Sequence, residues 1–208
     1  IIIDLIKKNF PEHQILTEEN GVIGGEAEYL WVIDPLDGTL NFTRGLPMFS
    51  TSIAVVKENE PVVAVVYNPI TNSLFTAEKG KGAFWNGEKI QVSEINSVEE
   101  AIVSMGRARD SDNKEKTLGI YNKFYPKLKS QRVLGSAALE LAWVASGRLE
   151  GFVSVGLKKW DCFAGILLIT ESGGKVTDFV GKNWTSEETH FIASNGRVHD
   201  KLIEIISA

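Results

Sequence analysis

Residues 31–42, WVIDPLDGTLNF, set two carboxylates, Asp34 and Asp37, three positions apart at the end of an apolar run and follow them at once with Gly38 and Thr39. An apolar run closing in acids and a glycine turn reads as a buried strand that delivers charge to its exposed C-terminal end, where open α/β folds place ligands. Pro35 holds φ at about −65° between the acids and Gly38 permits a sharp turn, so both carboxylates can face one pocket rather than opposite sides of the strand. Two ionised carboxylates about 4 Å apart repel by roughly 4 kcal/mol at an effective dielectric of about 20, so the pair must share a proton or hold a cation. Oxygen donors with no His or Cys beside them favour magnesium, manganese or calcium over zinc. Gly38 and Thr39 read as the start of a short helical turn whose free N–H groups suit a phosphate oxyanion. Seen in isolation, D-P-x-D-G is also ordinary turn and N-cap chemistry, and the choice falls to the rest of the chain.

Outward from this stretch the pattern is layered. After an opening amphipathic helix, strand-like runs at 29–34, 50–57, 61–68 and 73–78 predict an antiparallel meander, and Asn86-Gly87 marks a type I′ hairpin. From about residue 98 the two periods alternate: a strand in AIVSMG, a helix over 113–125, a strand at 131–134, an apolar helix over 136–147, a strand at 151–155, a helix over 161–172, a strand at 189–193 and a helix over 197–207. This predicts an α/β fold with α+β segregation, a sandwich of alternating helical and sheet layers. Two subdomains are expected, a meander-sheet unit over 1–97 and an α/β unit over 98–208. Three further acids draw notice: Glu18 and Glu19, in ILTEENG, follow a short apolar run, and Asp161, in KKWDCFAGILLITESGG, opens an apolar helical stretch. Taken singly, the glutamates read as a solvated loop and Asp161 as a helix N-cap.

Together these segments resemble the inositol monophosphatase family of magnesium-dependent, lithium-sensitive phosphatases, which includes archaeal-type fructose-1,6-bisphosphatases and 3′-phosphonucleotide phosphatases. The resemblance rests on an E-E element at Glu18-Glu19, on W-x-I-D-P-x-D-G-T-x-N-F over 31–42 and on W-D-x-x-A-G over 160–165, with GKGAFWNG at 80–87 and LGSAALELA at 134–142 between them. It implies an αβαβα sandwich of the sugar-phosphatase type and a metal-dependent phosphomonoesterase. Glu18, Asp34 and the carbonyl of Leu36 are implied to hold one Mg2+. Asp34, Asp37 and Asp161 would hold a second, with Asp34 bridging; two or three ions are expected in all, with Mn2+ as a possible substitute. The nucleophile is implied to be a water activated by the ions and oriented by the catalytic pair Glu18 and Thr39, without a phosphoenzyme.

The same resemblance assigns the substrate contacts. The phosphate would rest on the N–H groups of Gly38 and Thr39, Asp37 and Asp161 would lie near the leaving hydroxyls, and Ser136 and Ala137 would face the leaving alcohol. Lys158 or its neighbour Lys159 could reach a second phosphate or a sugar hydroxyl. The implied substrate is a small polyol or sugar phosphomonoester, inositol monophosphate or fructose 1,6-bisphosphate. A 3′-phosphonucleotide phosphatase and a non-catalytic metal-binding homologue with a regulatory or scaffold role are the alternatives. Inositol-specific members carry an acid about seven positions before the last aspartate; here that position is Ser154 and the nearest acid is Glu150, which speaks against strict inositol selectivity. The family pattern also contains an upstream helical pair and a D-x-x-[ST]-x-x-D segment whose Asp supports the water-orienting threonine. This sequence opens with IIIDLIKKNFPEH, so Thr39 is expected to lack that partner and the 208-residue chain to turn over weakly.

Composition sets outer bounds. With 208 residues, 43% of them hydrophobic, the chain can bury a substantial core as one domain or two intimate subdomains. A net charge of −5 argues against broad nucleic-acid binding. The single cysteine, Cys162, excludes an intramolecular disulfide and reads as packing. No long apolar run or secretory signal appears, so a cytoplasmic enzyme without membrane attachment is expected, and the resemblance adds a homodimer. His13, His190 and His199 are expected in surface or hydrogen-bonding roles, and Trp31, Trp143 and Trp160 as core anchors. Arg107 and Arg109 are candidates for a second phosphate or for solubility alone.

Overall fold

A computed structural model describes residues 1–208 apart from 107 and 109, so the candidate roles of Arg107 and Arg109 lie outside the described residues. Helix α1 (Ile2–Asn9) leads into strands β1 (Gln14–Thr17), β2 (Gly21–Ile23) and β3 (Tyr29–Asp37), the short helix α2 (Thr39–Thr43), and strands β4 (Ser50–Lys57), β5 (Glu60–Asn68), β6 (Ser73–Glu78), β7 (Gly82–Trp85) and β8 (Glu88–Lys89). These strands form one eight-stranded sheet in the order β2-β1-β3-β4-β5-β6-β7-β8. From β3 to β8 it is the expected antiparallel meander, and Asn86 and Gly87 both take positive φ, 49° and 86°, as a type I′ hairpin requires. Strands β1 and β2 escape the sequence reading because three or four residues are too few to display a period. Strand β1 runs parallel to β3, with Thr17 opposite Ile33, and this pairing carries Glu18 alongside the D-P-x-D segment.

The second half of the chain contains β9 (Ile102–Met105), α3 (Ser111–Phe124), β10 (Ser130–Arg132), α4 (Ala137–Ala145), β11 (Gly151–Val155), α5 (Lys159–Glu171), β12 (Lys175–Thr177), β13 (His190–Ser194) and α6 (His199–Ser207). Its five strands form a mixed sheet ordered β10-β9-β11-β13-β12, in which β9 pairs parallel with β10 and β11 while β13 pairs antiparallel with β11 and β12. The first sheet ends at Lys89 and the second begins at Ile102.

Alternation along the strands decides which layer each side chain joins. Val32 and Ile33 are neighbours in β3 but belong to different cores: Val32 packs with Ala54, Val66 and Phe75 under α4 and α5, whereas Ile33 packs with Ile15 and with Ile6 of α1. The second sheet divides likewise. Phe152 and Phe191 face α4 and α5, while Val153 and Ile192 face Phe124 of α3 and Leu202 of α6. The order of layers is therefore α1, sheet, α4 with α5, sheet, α3 with α6: among the described residues, a mixed α/β sandwich of two mixed sheets and six helices. Sandwiched between sheets, α4 and α5 must be apolar all round, and nearly every residue of α4 is buried. Gly165 in α5 lets the two central helices approach, because a Cβ there would meet Leu141 Cβ at 2.4 Å. Among the described residues no helix is long and apolar enough to cross a membrane.

Candidate metal centre

Two acids at positions i and i+3 of a regular strand point to opposite faces. Asp34 and Asp37 share a face because β3 carries a bulge between them: Asp34 lies opposite Ser52 and Asp37 opposite Ser50, so three steps on β3 match two on β4. Pro35 sits inside the bulge, where the missing N–H leaves no ladder bond unmade. The expectation of an exposed strand end is corrected here. Strand β3 continues through Asp37, and the starts of α4 and α5 close over it, leaving Asp34 1% and Asp37 7% exposed.

Helix α5 supplies the third acid. Asp161 lies at the third position of α5, is 4% exposed and accepts the N–H of Lys158 on Oδ2 at 2.9 Å, while its own N–H donates to the Lys158 carbonyl. It thus closes the first turn of α5 in the manner of a capping box rather than opening the helix as an N-cap. One carboxylate oxygen from each of Asp34, Asp37 and Asp161 lies within 4.8 Å of the others, although they come from different sheet and helix layers.

The electrostatics follow from burial and crowding. At 4.8 Å and an effective dielectric of about 20 each ionised pair repels by about 3 kcal/mol. Burial first, and then the charge on Asp37, push Asp34 up to about 8; Glu18 and Asp161 add to the rise, and the Leu36 N–H donating to Asp34 Oδ1 at 2.9 Å opposes it. Asp37 is pushed up to about 6 by burial, against the Ser136 hydroxyl and the amides of Ala138 and Ala137, which favour its charged form. Three buried, mutually repelling oxygen donors fit a hard dication, which would offset both the repulsion and the burial. Glu18 lies outside this tightest group, yet it lines the same cavity and its charge bears on Asp34.

Asp37 and Asp161 line a cavity of about 590 Å³, walled also by Gly38, Thr39, Leu40, Asn41, Ala137, Leu157 and Lys114 among others. Gly38 precedes α2 at φ +90°, and a Cβ there would stand 2.8 Å from the Met48 carbonyl oxygen, so this position admits no side chain. Thr39 is exposed and its hydroxyl donates to the Leu36 carbonyl at 3.0 Å, which occupies one lone pair of that carbonyl.

Ser136 is not at the cavity wall. It is fully buried, with its hydroxyl donating to Asp37 Oδ2 at 2.7 Å and lying 3.3 Å from the Ser50 hydroxyl, so it orients an acid and is sealed from a leaving alcohol; Ala137 does reach the wall. The Lys158 N–H donates to Asp161 while its side chain is exposed and is not among the residues lining the cavity, and Lys159 pairs with Glu187 at 2.8 Å. Glu150 accepts the Ile102 N–H at 2.7 Å, which ties it to the second sheet. Cys162 is buried with its thiol 3.2 Å from the Lys158 carbonyl, and burial pushes that thiol well up.

Three cavity residues escape the sequence reading. Asn41 donates from Nδ2 to the carbonyls of Met48 and Leu134, both at 2.7 Å, joining α2 to the turn before α4. Lys114, on the first turn of α3, lines the cavity. Glu140 is the third, and its signal was available: it is the lone acid in the apolar run AALELAWVA, and a charged residue in a buried helix must have partners.

The whole chain, residues 1–208, matches the model of the inositol monophosphatase family. It is 42% identical over 207 residues to a fructose-1,6-bisphosphatase/inositol-1-monophosphatase of Thermotoga maritima, covering 100% of this chain and 78% of that protein. It is 43% identical over 200 residues to a protein of Escherichia coli named Nus factor SuhB, covering 95% of this chain and 75% of that protein. The structure of an inositol monophosphatase from Anabaena (Nostoc) is similar at a TM-score of 0.94 and 36% identity, over 99% of this chain and 82% of that one.

Proposed function

The chain belongs to the inositol monophosphatase family, and on that premise we propose that it is a magnesium-dependent phosphomonoesterase acting on a small polyol or sugar phosphate. The observation that carries the reading is the buried trio Asp34, Asp37 and Asp161, whose oxygens lie within 4.8 Å of one another. These three, with Glu18 and the Leu36 carbonyl beside them, would hold two or three Mg2+ ions, or Mn2+ in their place. Bound there, such ions neutralise charge on the transferring phosphoryl group and lower the pKa of water.

The chain's own groups do the rest. The phosphate is received by the N–H groups of Gly38 and Thr39. Because the Thr39 hydroxyl spends its proton on the Leu36 carbonyl, it faces an attacking water as an acceptor and orients one of that water's protons. Glu18, half-buried at the cavity wall, takes up the proton the water releases. Asp37 is held in place by the Ser136 hydroxyl and the Ala138 amide. At about 590 Å³ the cavity is larger than a phosphate needs, and Lys114 in its wall offers a cation for a second anionic group. The role first given to Lys158 thus passes to Lys114, and a sugar bisphosphate joins inositol monophosphate as substrate.

A second reading, a metal-binding regulator that has lost turnover, is favoured by the 43% identity to a protein named Nus factor SuhB. Release of inorganic phosphate from inositol 1-phosphate, fructose 1,6-bisphosphate and a 3′-phosphonucleotide, with magnesium and with EDTA, separates the two. Magnesium-dependent release from the first two, abolished in Asp161→Asn, is expected. A folded, metal-binding protein that releases phosphate from none of them refutes the enzymatic reading in favour of the regulator.

A further inference from the structure

Glu140 is 1% exposed in the first turn of α4, at the wall of the cavity that holds Asp37 and Asp161, and the chemistry above does not use it. Its Oε1 accepts the N–H of Leu134 at 3.0 Å, and the amides of Gly135 and Ser136 face the same carboxyl and favour its charged form against the burial that pushes it up to about 8. Three successive N–H groups converging on one carboxylate fold the backbone into an anion-holding turn. That turn is tied at both ends to the D-P-x-D-G segment. At one end the Leu134 carbonyl accepts Asn41 Nδ2 at 2.7 Å. At the other, the Ser136 hydroxyl donates to Asp37 Oδ2 at 2.7 Å, and that same oxygen accepts the Ala138 N–H at 2.9 Å.

We propose that Glu140 is a positioning residue which, by clasping the Leu134–Ser136 turn, fixes the Asp37 carboxylate and so sets the affinity of the three-acid centre for its divalent ion. The inference rests on the metal-centre reading and deepens it. The chemistry of the clasp is specific to a carboxylate. Amides of three successive residues aimed at one side chain are met by the two oxygens of a carboxyl group, whereas a glutamine of the same shape has one oxygen and would turn its NH2 toward the others. The turn then relaxes, the Ser136 hydroxyl withdraws, and Asp37 loses the bond that aims it. A residue serving only to start α4 would affect stability and leave metal affinity alone, which gives the two roles different consequences.

The test is calorimetric titration of the metal-stripped full chain with MnCl2, a readout that needs no turnover. The parent is compared with Glu140→Gln, Glu140→Asp and Leu202→Ala, the last a destabilising change in the α6 core away from the cavity. Glu140→Gln is expected to weaken Mn2+ binding about tenfold or more, and Leu202→Ala to leave it within about twofold at a comparable loss of Tm. Parent-like binding by Glu140→Gln overturns the proposal, as does equal weakening in Leu202→Ala, which would make the effect one of general stability. Should Glu140→Gln fail to fold, Glu140→Asp, which keeps the charge one methylene short of the turn, must itself weaken binding several-fold or the proposal falls. A folded parent that binds no Mn2+ removes the metal centre and this inference with it, whereas a parent that binds while Glu140→Gln binds equally removes the inference alone.

Discussion

Asp34→Asn is expected to stabilise the metal-free protein while abolishing its response to magnesium. Asp34 is 1% exposed and its carboxyl is pushed up to about 8 from 3.8, chiefly by burial and then by Asp37. Because the folded pKa lies above the unfolded one, the group's contribution to stability is intact below about pH 4 and is lost as pH rises toward 8. At 1.36 kcal/mol per pK unit, holding Asp34 protonated at pH 7 costs up to about 4 kcal/mol, and at pH 5 only about 1–2 kcal/mol. Asparagine keeps the shape, and its Oδ1 can keep the Leu36 N–H now at 2.9 Å, so most of this cost should vanish in the variant. For a chain of about 200 residues a gain of 2–4 kcal/mol raises Tm by roughly 5–10 °C. The assay is thermal unfolding of parent and variant in EDTA at pH 5 and 7.5, repeated with excess MgCl2. The parent should gain about 2.7 kcal/mol at a hundred times Kd and the variant nothing. A variant less stable than the parent in EDTA at pH 7.5, or one that keeps the parent's magnesium gain, would refute the reasoning.

Three other outcomes are expected. Gly38→Ala forces a Cβ to within 2.8 Å of the Met48 carbonyl oxygen at φ +90°, and should cost about 2–4 kcal/mol in denaturant unfolding and most of the activity; a change within about 0.5 kcal/mol would contradict the geometry. His199 is fully buried between the hydroxyls of Ser194 and Thr177, both at 2.8 Å, and burial lowers its pKa to about 4. Its folded pKa being depressed, the neutral ring's contribution is whole above about pH 6.5 and is lost as pH falls toward 4, up to about 3 kcal/mol. Replacing His199 by Gln should flatten the acid limb of the stability profile, and an unchanged limb would count against this. Lys114→Met should raise KM for fructose 1,6-bisphosphate about five- to tenfold and leave that for inositol 1-phosphate near the parent's, so equal effects on both would remove Lys114 from the second anionic subsite.

Much of the layering was legible because period reports burial. Runs such as STSIAVVK at 50–57 and PVVAVVYN at 61–68 lie within β4 and β5, and the all-round apolar character of AALELAWVA marks a helix covered on every side. Strands β1, β2 and β12 were not legible, since three or four residues cannot show alternation. At the candidate site Asp34, Asp37 and Asp161 could be named from residue type and family resemblance. That the Ser136 hydroxyl bonds Asp37 and the Lys158 N–H bonds Asp161 was not legible, and Glu140, Asn41 and Lys114 received no role of their own, because each bears on the site through another element.

By itself, then, the sequence determined the longer helices and strands, that acids close the strand beginning at Tyr29, and which family the motifs resemble, because these depend on residues near one another in the chain. Only the tertiary structure decided that a one-residue bulge turns Asp34 and Asp37 to the same side, that α5 brings Asp161 to within 4.8 Å of them, and that the group is buried. Register, burial and the meeting of like charges depend on what packs over a residue, and that is settled only when the layers close.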